Sequence, residues 1–141
     1  MTVLLDDHLL ADWLDERDER VRAAVGDEPV ATTNLWYVRL CRSAAGRASG
    51  ALADWPEQER RALLAALWAL PAEVTVVPLR DLAWRMGELA AQRRGLSALG
   101  AEAVAAAEHL TGRLLVDARD DGPGIRGCCA DLGIRYTALP D

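Results

Sequence analysis

The chain contains no lysine and no phenylalanine, so every permanent positive charge is an arginine. The missing lysine excludes a Walker-type phosphate loop, and Gly122-Pro123-Gly124 is too short to make one. No Asp or Glu occurs between Pro29 and Ala53, which leaves that stretch without a candidate acid or metal ligand. No apolar run approaches the roughly 20 residues of a membrane-spanning helix. The opening MTVLLDDHLLADWL carries acids where a signal peptide needs a basic segment, which is not the pattern of export. Cysteine is scarce, at three residues, and Cys128 and Cys129 are adjacent, which suits neither an ordinary disulfide nor CxxC chemistry. With only His8 and His109 to join them, zinc-ligand spacing is absent too. A reducing, cytoplasmic setting and no membrane partner are therefore the expectation.

What remains is an ordinary globular composition. Of 141 residues, 51% are hydrophobic, enough for one core and one domain spanning 1–141. The net charge of −6 disfavours broad electrostatic adhesion to nucleic acid. It leaves room for a local basic groove, or for acids that reach RNA through a bridging cation.

Short β-branched or apolar runs alternate with helical spacing along the chain. Thr2–Leu5 reads as a buried strand that stops at Asp6-Asp7, and Leu9, Leu10, Trp13 and Leu14 begin a helix. The run from Asp15 to Arg20 continues as an exposed helical face, with Glu16–Arg20 and Asp18–Arg22 at four-residue spacing. Pro29–Thr32 makes a second strand, and Thr33 or Asn34 caps a helix from Leu35 to about Ser43. Gly46 and Gly50 mark a loosely ordered connection. Asp54-Trp55-Pro56-Glu57 starts a helix with an acid cap, and Leu63, Leu64, Leu67 and Trp68 form its buried face. Glu73–Pro78 is a third strand. Leu79, Leu82, Ala83, Met86, Leu89 and Ala90 define the next helix, and Leu96 to Leu110 another. Arg113–Val116 and Ile134–Leu139 are strands on either side of a short helix after Gly122.

Strands separated by helices form a parallel sheet, and right-handed crossovers cover both its faces. The expected architecture is a three-layer α/β sandwich around a central parallel sheet of about five strands. Ligands in such sheets bind at the carboxyl ends of the strands, near the reversal of strand order. Two strands end in acids there: the first at Asp6-Asp7, the fourth at Asp117, with Asp120 and Asp121 just beyond. If those strands are neighbours, Asp6 and Asp117 converge, and clustered carboxylates suit Mg²⁺ or Mn²⁺. Such an ion activates water for phosphoryl displacement. The same acids also suit helix capping, Asp6 or Asp7 for the first helix and Asp120 or Asp121 for the one after Gly122.

The opening VLLDD, the segment ATTNLWYVRL and the stretch LSALGAEAVAAAEHLTGRLLVDARDD resemble PIN domains, the metal-dependent ribonuclease fold common in bacterial toxin–antitoxin operons. The likeness runs through nearly the whole chain in element order. It implies cleavage of single-stranded RNA with Mg²⁺ or Mn²⁺, a homodimer and an antitoxin partner. By that resemblance Asp6 and Asp117 are the catalytic acids and metal ligands, with Asp121 or Asp120 assisting. Two acids of the family pattern are missing. The helix after the second strand has no glutamate, and Gly100 stands where an aspartate opens the helix before the fourth strand. Glu102 lies about 200° further round that helix, a poor substitute. The alternative is a catalytically inactive PIN-like module that binds protein or RNA. A response-regulator-like receiver also begins with paired acids, but its chemistry needs a lysine that this chain lacks.

Other residues read more plainly. His8 and His109 are expected on the surface and Cys41 in the core. Arg39, Arg42, Arg80, Arg85 and Arg119 are candidates for RNA phosphate. The tryptophans in Leu- and Ala-rich helices are expected in core or interface packing. Trp36-Tyr37 is the pair whose exposure would mark a dimer surface.

Overall fold

The computed structural model describes residues 1–46 and 50–140. Val3–Leu5 (β1), Val30–Thr32 (β2), Val74–Val76 (β3), Arg113–Asp117 (β4) and Tyr136–Leu139 (β5) form one five-stranded sheet in the order β3-β2-β1-β4-β5. Every pairing is parallel, so each strand returns through helices to the same end. Those helices are Asp7–Leu14 (α1), Glu19–Val25 (α2), Asn34–Ala45 (α3), Glu57–Trp68 (α4), Leu79–Gln92 (α5), Ala98–Leu110 (α6) and Pro123–Leu132 (α7).

The pleat divides the core in two. Val3 and Leu5 of β1, with Leu115 of β4, pack against Leu9, Leu10, Val21, Leu40, Leu63 and Leu67 from α1 to α4. Leu4, Leu114 and Val116 point the other way, onto Leu82, Leu89, the alanines of α6, and Cys128 and Cys129. Both faces are thus covered, giving the expected three layers with a parallel central sheet. The small residues of α6 bring that helix close to the sheet. A Cβ at Gly112 would stand 2.7 Å from the Thr2 carbonyl, so only glycine lets β4 enter beside β1.

Several local expectations are corrected. The acid-arginine run is not one helix: α1 ends at Leu14, and Asp18 caps α2 by accepting from the Arg20 N–H at 2.9 Å. Arg20 pairs with Asp18 and Arg22 with Glu16, rather than at four-residue spacing. Pro56, not Asp54, occupies the cap of α4, whose helix starts at Glu57; the proline ring offers no acceptor, so the cap has no side-chain bond. Residues 47–49 of the connection from Gly46 to Gly50 lie outside the described residues; Gly50–Leu52 is a 3₁₀ turn.

Trp68 is 92% exposed and Trp84 is 84% exposed. Neither packs in the core. Each is out of phase with its helix: Trp68 follows the buried Leu67 by one residue, and Trp84 follows the buried Leu82 by two. Trp36 is buried, and Tyr37 is half-buried with its hydroxyl donating to the Leu67 carbonyl, so this pair is no exposed patch. Cys41 is half-buried and packs against the core. No described helix is long and apolar enough to cross a membrane.

Candidate functional site

β1 and β4 are neighbours, and strand order reverses between them, so their carboxyl ends frame the crevice where α/β sheets bind ligands. The chain leaves β1 at Leu5 and enters α1 within one residue. That residue, Asp6, is fully buried in extended geometry, and its Oδ1 accepts from the Leu9 N–H at 2.9 Å. Its Oδ2 accepts from the Asp117 N–H at 2.9 Å. One carboxylate therefore caps α1 and ties the end of β4 to the end of β1.

Asp7 is also buried, and its charge is met from across the crevice by Arg39 of α3. The guanidinium makes a fork: Nε donates to Asp7 Oδ2 at 2.7 Å and Nη2 donates to Asp7 Oδ1. The same Nη2 donates to Asp120 Oδ2 at 2.6 Å. His8 Nδ1 lies 3.1 Å from Asp120 Oδ2, 3.2 Å from Asp7 Oδ1 and 3.8 Å from Asp6 Oδ2. Its side chain is 10% exposed, which corrects its expected place on the surface.

Two cations and three carboxylates thus share one small volume, and their ionisation follows. Burial pushes Asp6 up to about 7, against the opposing pull of His8 and the Leu9 N–H. Burial alone would lower His8, but Asp120, Asp6 and Asp7 outweigh it and hold the imidazole protonated, up to about 11. Burial likewise opposes the charge on Asp120, yet His8, Asp6 and Arg39 hold it well below the usual carboxylate range. Arg39 is raised against its own desolvation by Asp7 and Asp120.

Asp6, Asp7, His8 and Asp120 each offer a ligand atom within 4.8 Å of the others, a grouping that could hold a metal ion. Each of these carboxylates is already hydrogen-bonded from within. Asp6 accepts two backbone N–H groups, Asp7 takes the Arg39 fork, and Asp120 takes both His8 and Arg39. A hard dication prefers oxygen ligands, so Arg39 and His8, the two cations within the cluster, compete with it for these carboxylates.

The other anticipated acids stand apart from this cluster. Asp117 caps the 3₁₀ turn Ala118–Asp120, and its carboxylate pairs with Arg119 at 2.8 Å. Burial would raise Asp117, but the Arg119 donors hold it below its ordinary value. Asp121, expected as a metal ligand, is exposed and bonds Arg126 at 2.7 Å and the Tyr136 hydroxyl at 2.9 Å. The 3₁₀ turn separates the two neighbours, presenting Asp120 to α1 and α3 and Asp121 to α7 and β5. Neither acid caps α7, whose cap is Gly122 without a side-chain bond.

Glu102 does not reach the acid cluster either. Fully buried on α6, it accepts from the Asn34 N–H at 2.7 Å, the Asn34 side-chain amide at 2.8 Å and the Leu35 N–H at 2.9 Å. With Thr33 accepting from the Trp36 N–H, it satisfies the first turn of α3 and opposes the positive end of the helix dipole. Where the resemblance looks for an aspartate, Gly100 borders a cleft of about 220 Å³ lined also by Trp36, Ser97, Asp120 and Ile125. The indole N–H of Trp36 is the one buried side-chain polar atom among the described residues without a hydrogen-bond partner.

His8 is the residue that sequence reasoning misplaced; Glu102 was rightly read as a poor substitute for the missing acid, and Arg39 was anticipated only as a phosphate contact. Arg39 had a signal: it follows the buried Trp36 by three residues and precedes the buried Ser43 by four, on the inner side of α3. No family model matches the chain, and no curated protein matches it. The geometry is therefore the ground for a functional reading.

Proposed function

We propose that this chain is a PIN-like scaffold that has given up metal-dependent hydrolysis and serves as a protein-binding module. The observation that carries the proposal is the Arg39 guanidinium bridging Asp7 and Asp120. In the resembling family the helix after the second strand contributes a glutamate, whereas here that helix sends a cation into the acids. Gly100 supplies no carboxylate, and Glu102 is committed to α3. Two of the three acids' charges that a metal would meet are already matched by Arg39 and His8.

Protein is favoured over RNA as the partner because the net charge is −6 and large apolar side chains stand exposed, among them Trp68, Trp84 and Val38. The antitoxin implied by the resemblance would be a partner of this class. Three free thiols, two of them buried, agree with a reducing, cytoplasmic setting.

The second reading is a ribonuclease using Mg²⁺ or Mn²⁺, and the mutual approach of the Asp6, Asp7, His8 and Asp120 donor atoms speaks for it. The two are separated by incubating single-stranded RNA with the chain in either ion, beside Asp6→Asn and Asp120→Asn. The binding-module reading expects no cleavage above that of the variants. Metal-dependent cleavage lost on either substitution would restore the nuclease.

A further inference from the structure

We propose that the cleft between the first turns of α6 and α7 binds the phosphate of a small phosphomonoester. Ser97, Leu99 and Gly100 border it from α6, and Gly122, Gly124 and Ile125 from α7. The two turns lie against each other: a Cβ at Gly100 would stand 3.9 Å from the Ile125 Cβ. The positive ends of two helix dipoles therefore open into one hollow of about 220 Å³. Their caps differ. Ser97 accepts from the Gly100 N–H at 3.0 Å, whereas α7 begins at Gly122 with no side-chain cap. Pro123 has no N–H, and those of Gly124 and Ile125 have no hydrogen-bond partner among the described residues.

The observation that points to a ligand is Trp36. It lines the cleft at 1% exposure, and its indole N–H has no acceptor. A buried donor without a partner is costly, and an acceptor oxygen held in the cleft removes that cost. The unpartnered groups here are donors, so the ligand supplies acceptors. Asp120, the acid on the cleft wall, is already met by His8 and Arg39. Arg94 is exposed, has no ion-pair partner among the described residues, and borders an adjoining hollow of about 500 Å³. Gly95, Leu96, Pro123 and Gly124 line both hollows, so the second takes the rest of the molecule. Two helix termini of about half a charge each, with one guanidinium, roughly match the charge of a phosphomonoester. The net charge of −6 favours a small ligand over a phosphate polymer. This site goes beyond the protein-binding role and rests on neither that role nor the metal question.

Titration with inorganic phosphate and with glycerol 3-phosphate tests it, followed by the tryptophan indole N–H signals in NMR. EDTA throughout excludes a bridging metal, and loss of one signal in Trp36→Phe identifies the Trp36 indole. That signal should shift saturably, with a dissociation constant on the order of a millimolar for phosphate and several-fold tighter for the monoester. Glycerol alone should leave it unmoved. By calorimetry, with each variant's fold checked by circular dichroism, Arg94→Glu should weaken binding about tenfold and Trp36→Phe several-fold. Arg80→Glu, at the far end of α5, should leave it unchanged. A Trp36 signal that neither probe moves overturns the inference, as does binding indifferent to Arg94→Glu or to Trp36→Phe. A 5′-phosphorylated oligonucleotide bound more tightly than the monoester would overturn the assignment to a small molecule.

Discussion

Replacing Arg39 with methionine keeps an unbranched apolar stem in place of the arginine's and removes the cation from the acid cluster. Asp7, 1% exposed, would then lose both donors of the fork, and Asp120 would lose its guanidinium and keep His8 and Asp6. Removing one partner of a buried ion pair costs about 3–5 kcal/mol, because the other charge is left uncompensated. Arg39 keeps 35% of its side chain exposed, so solvent screens part of the interaction and the lower end, about 3 kcal/mol, applies. With a urea slope of about 2 kcal/mol/M, the denaturation midpoint should fall by about 1.5 M at pH 7. Pairing the change with Asp7→Asn should recover part of the loss, since the stranded charge goes with it, and the double-mutant cycle should return a coupling of about 1–3 kcal/mol. A loss below about 0.5 kcal/mol for Arg39→Met, the range of ordinary surface substitutions, would refute the claim that Arg39 neutralises the cluster.

Further outcomes follow from the same geometry. His8 is held protonated up to about 11 in the folded chain, so its share of stability is complete below its ordinary value near 6.5 and is lost as the pH rises through about 11. The stability difference between wild type and His8→Gln should therefore shrink steadily above neutral pH. An NMR titration of the His8 ring should show no midpoint between pH 5 and 9, and a midpoint near 6.5 would contradict the arrangement. Glu102→Ala strips three donors at the start of α3 of their acceptor and should cost about 3 kcal/mol, seen as a melting temperature lower by about 10 °C. Gly112→Ala forces a methyl to within 2.7 Å of the Thr2 carbonyl and should cost about 1–3 kcal/mol in urea denaturation; a neutral result would mean that β1 and β4 can part at that end.

The sheet was legible because each strand is a short apolar run between turn or cap residues, and helices at every crossover leave only a parallel arrangement. Half of the site was legible for the same reason, since acids that follow directly on β1 and β4 must meet if those strands are adjacent. Choosing among Asp117, Asp120 and Asp121 was not possible from spacing. A single 3₁₀ turn decides which of them faces α3, and such a turn leaves little periodic trace. His8 looked like a surface residue because its partner Asp120 is 112 positions away. Arg39 was visible as a helix residue near the right strand end, but its sign concealed its role, because the search there was for an acid. Trp68 and Trp84 show the limit of composition as a guide to burial: phase on the helix, not hydrophobicity, sets which side chains face the sheet.

The central claim, that an internal guanidinium occupies the place of a metal, is tested most directly by Mn²⁺ calorimetry on wild type and Arg39→Ala at neutral pH. The account predicts no saturable binding to wild type at millimolar Mn²⁺, and binding to Arg39→Ala that Asp120→Asn abolishes. Tight, saturable binding to wild type, lost in Asp6→Asn, would contradict it.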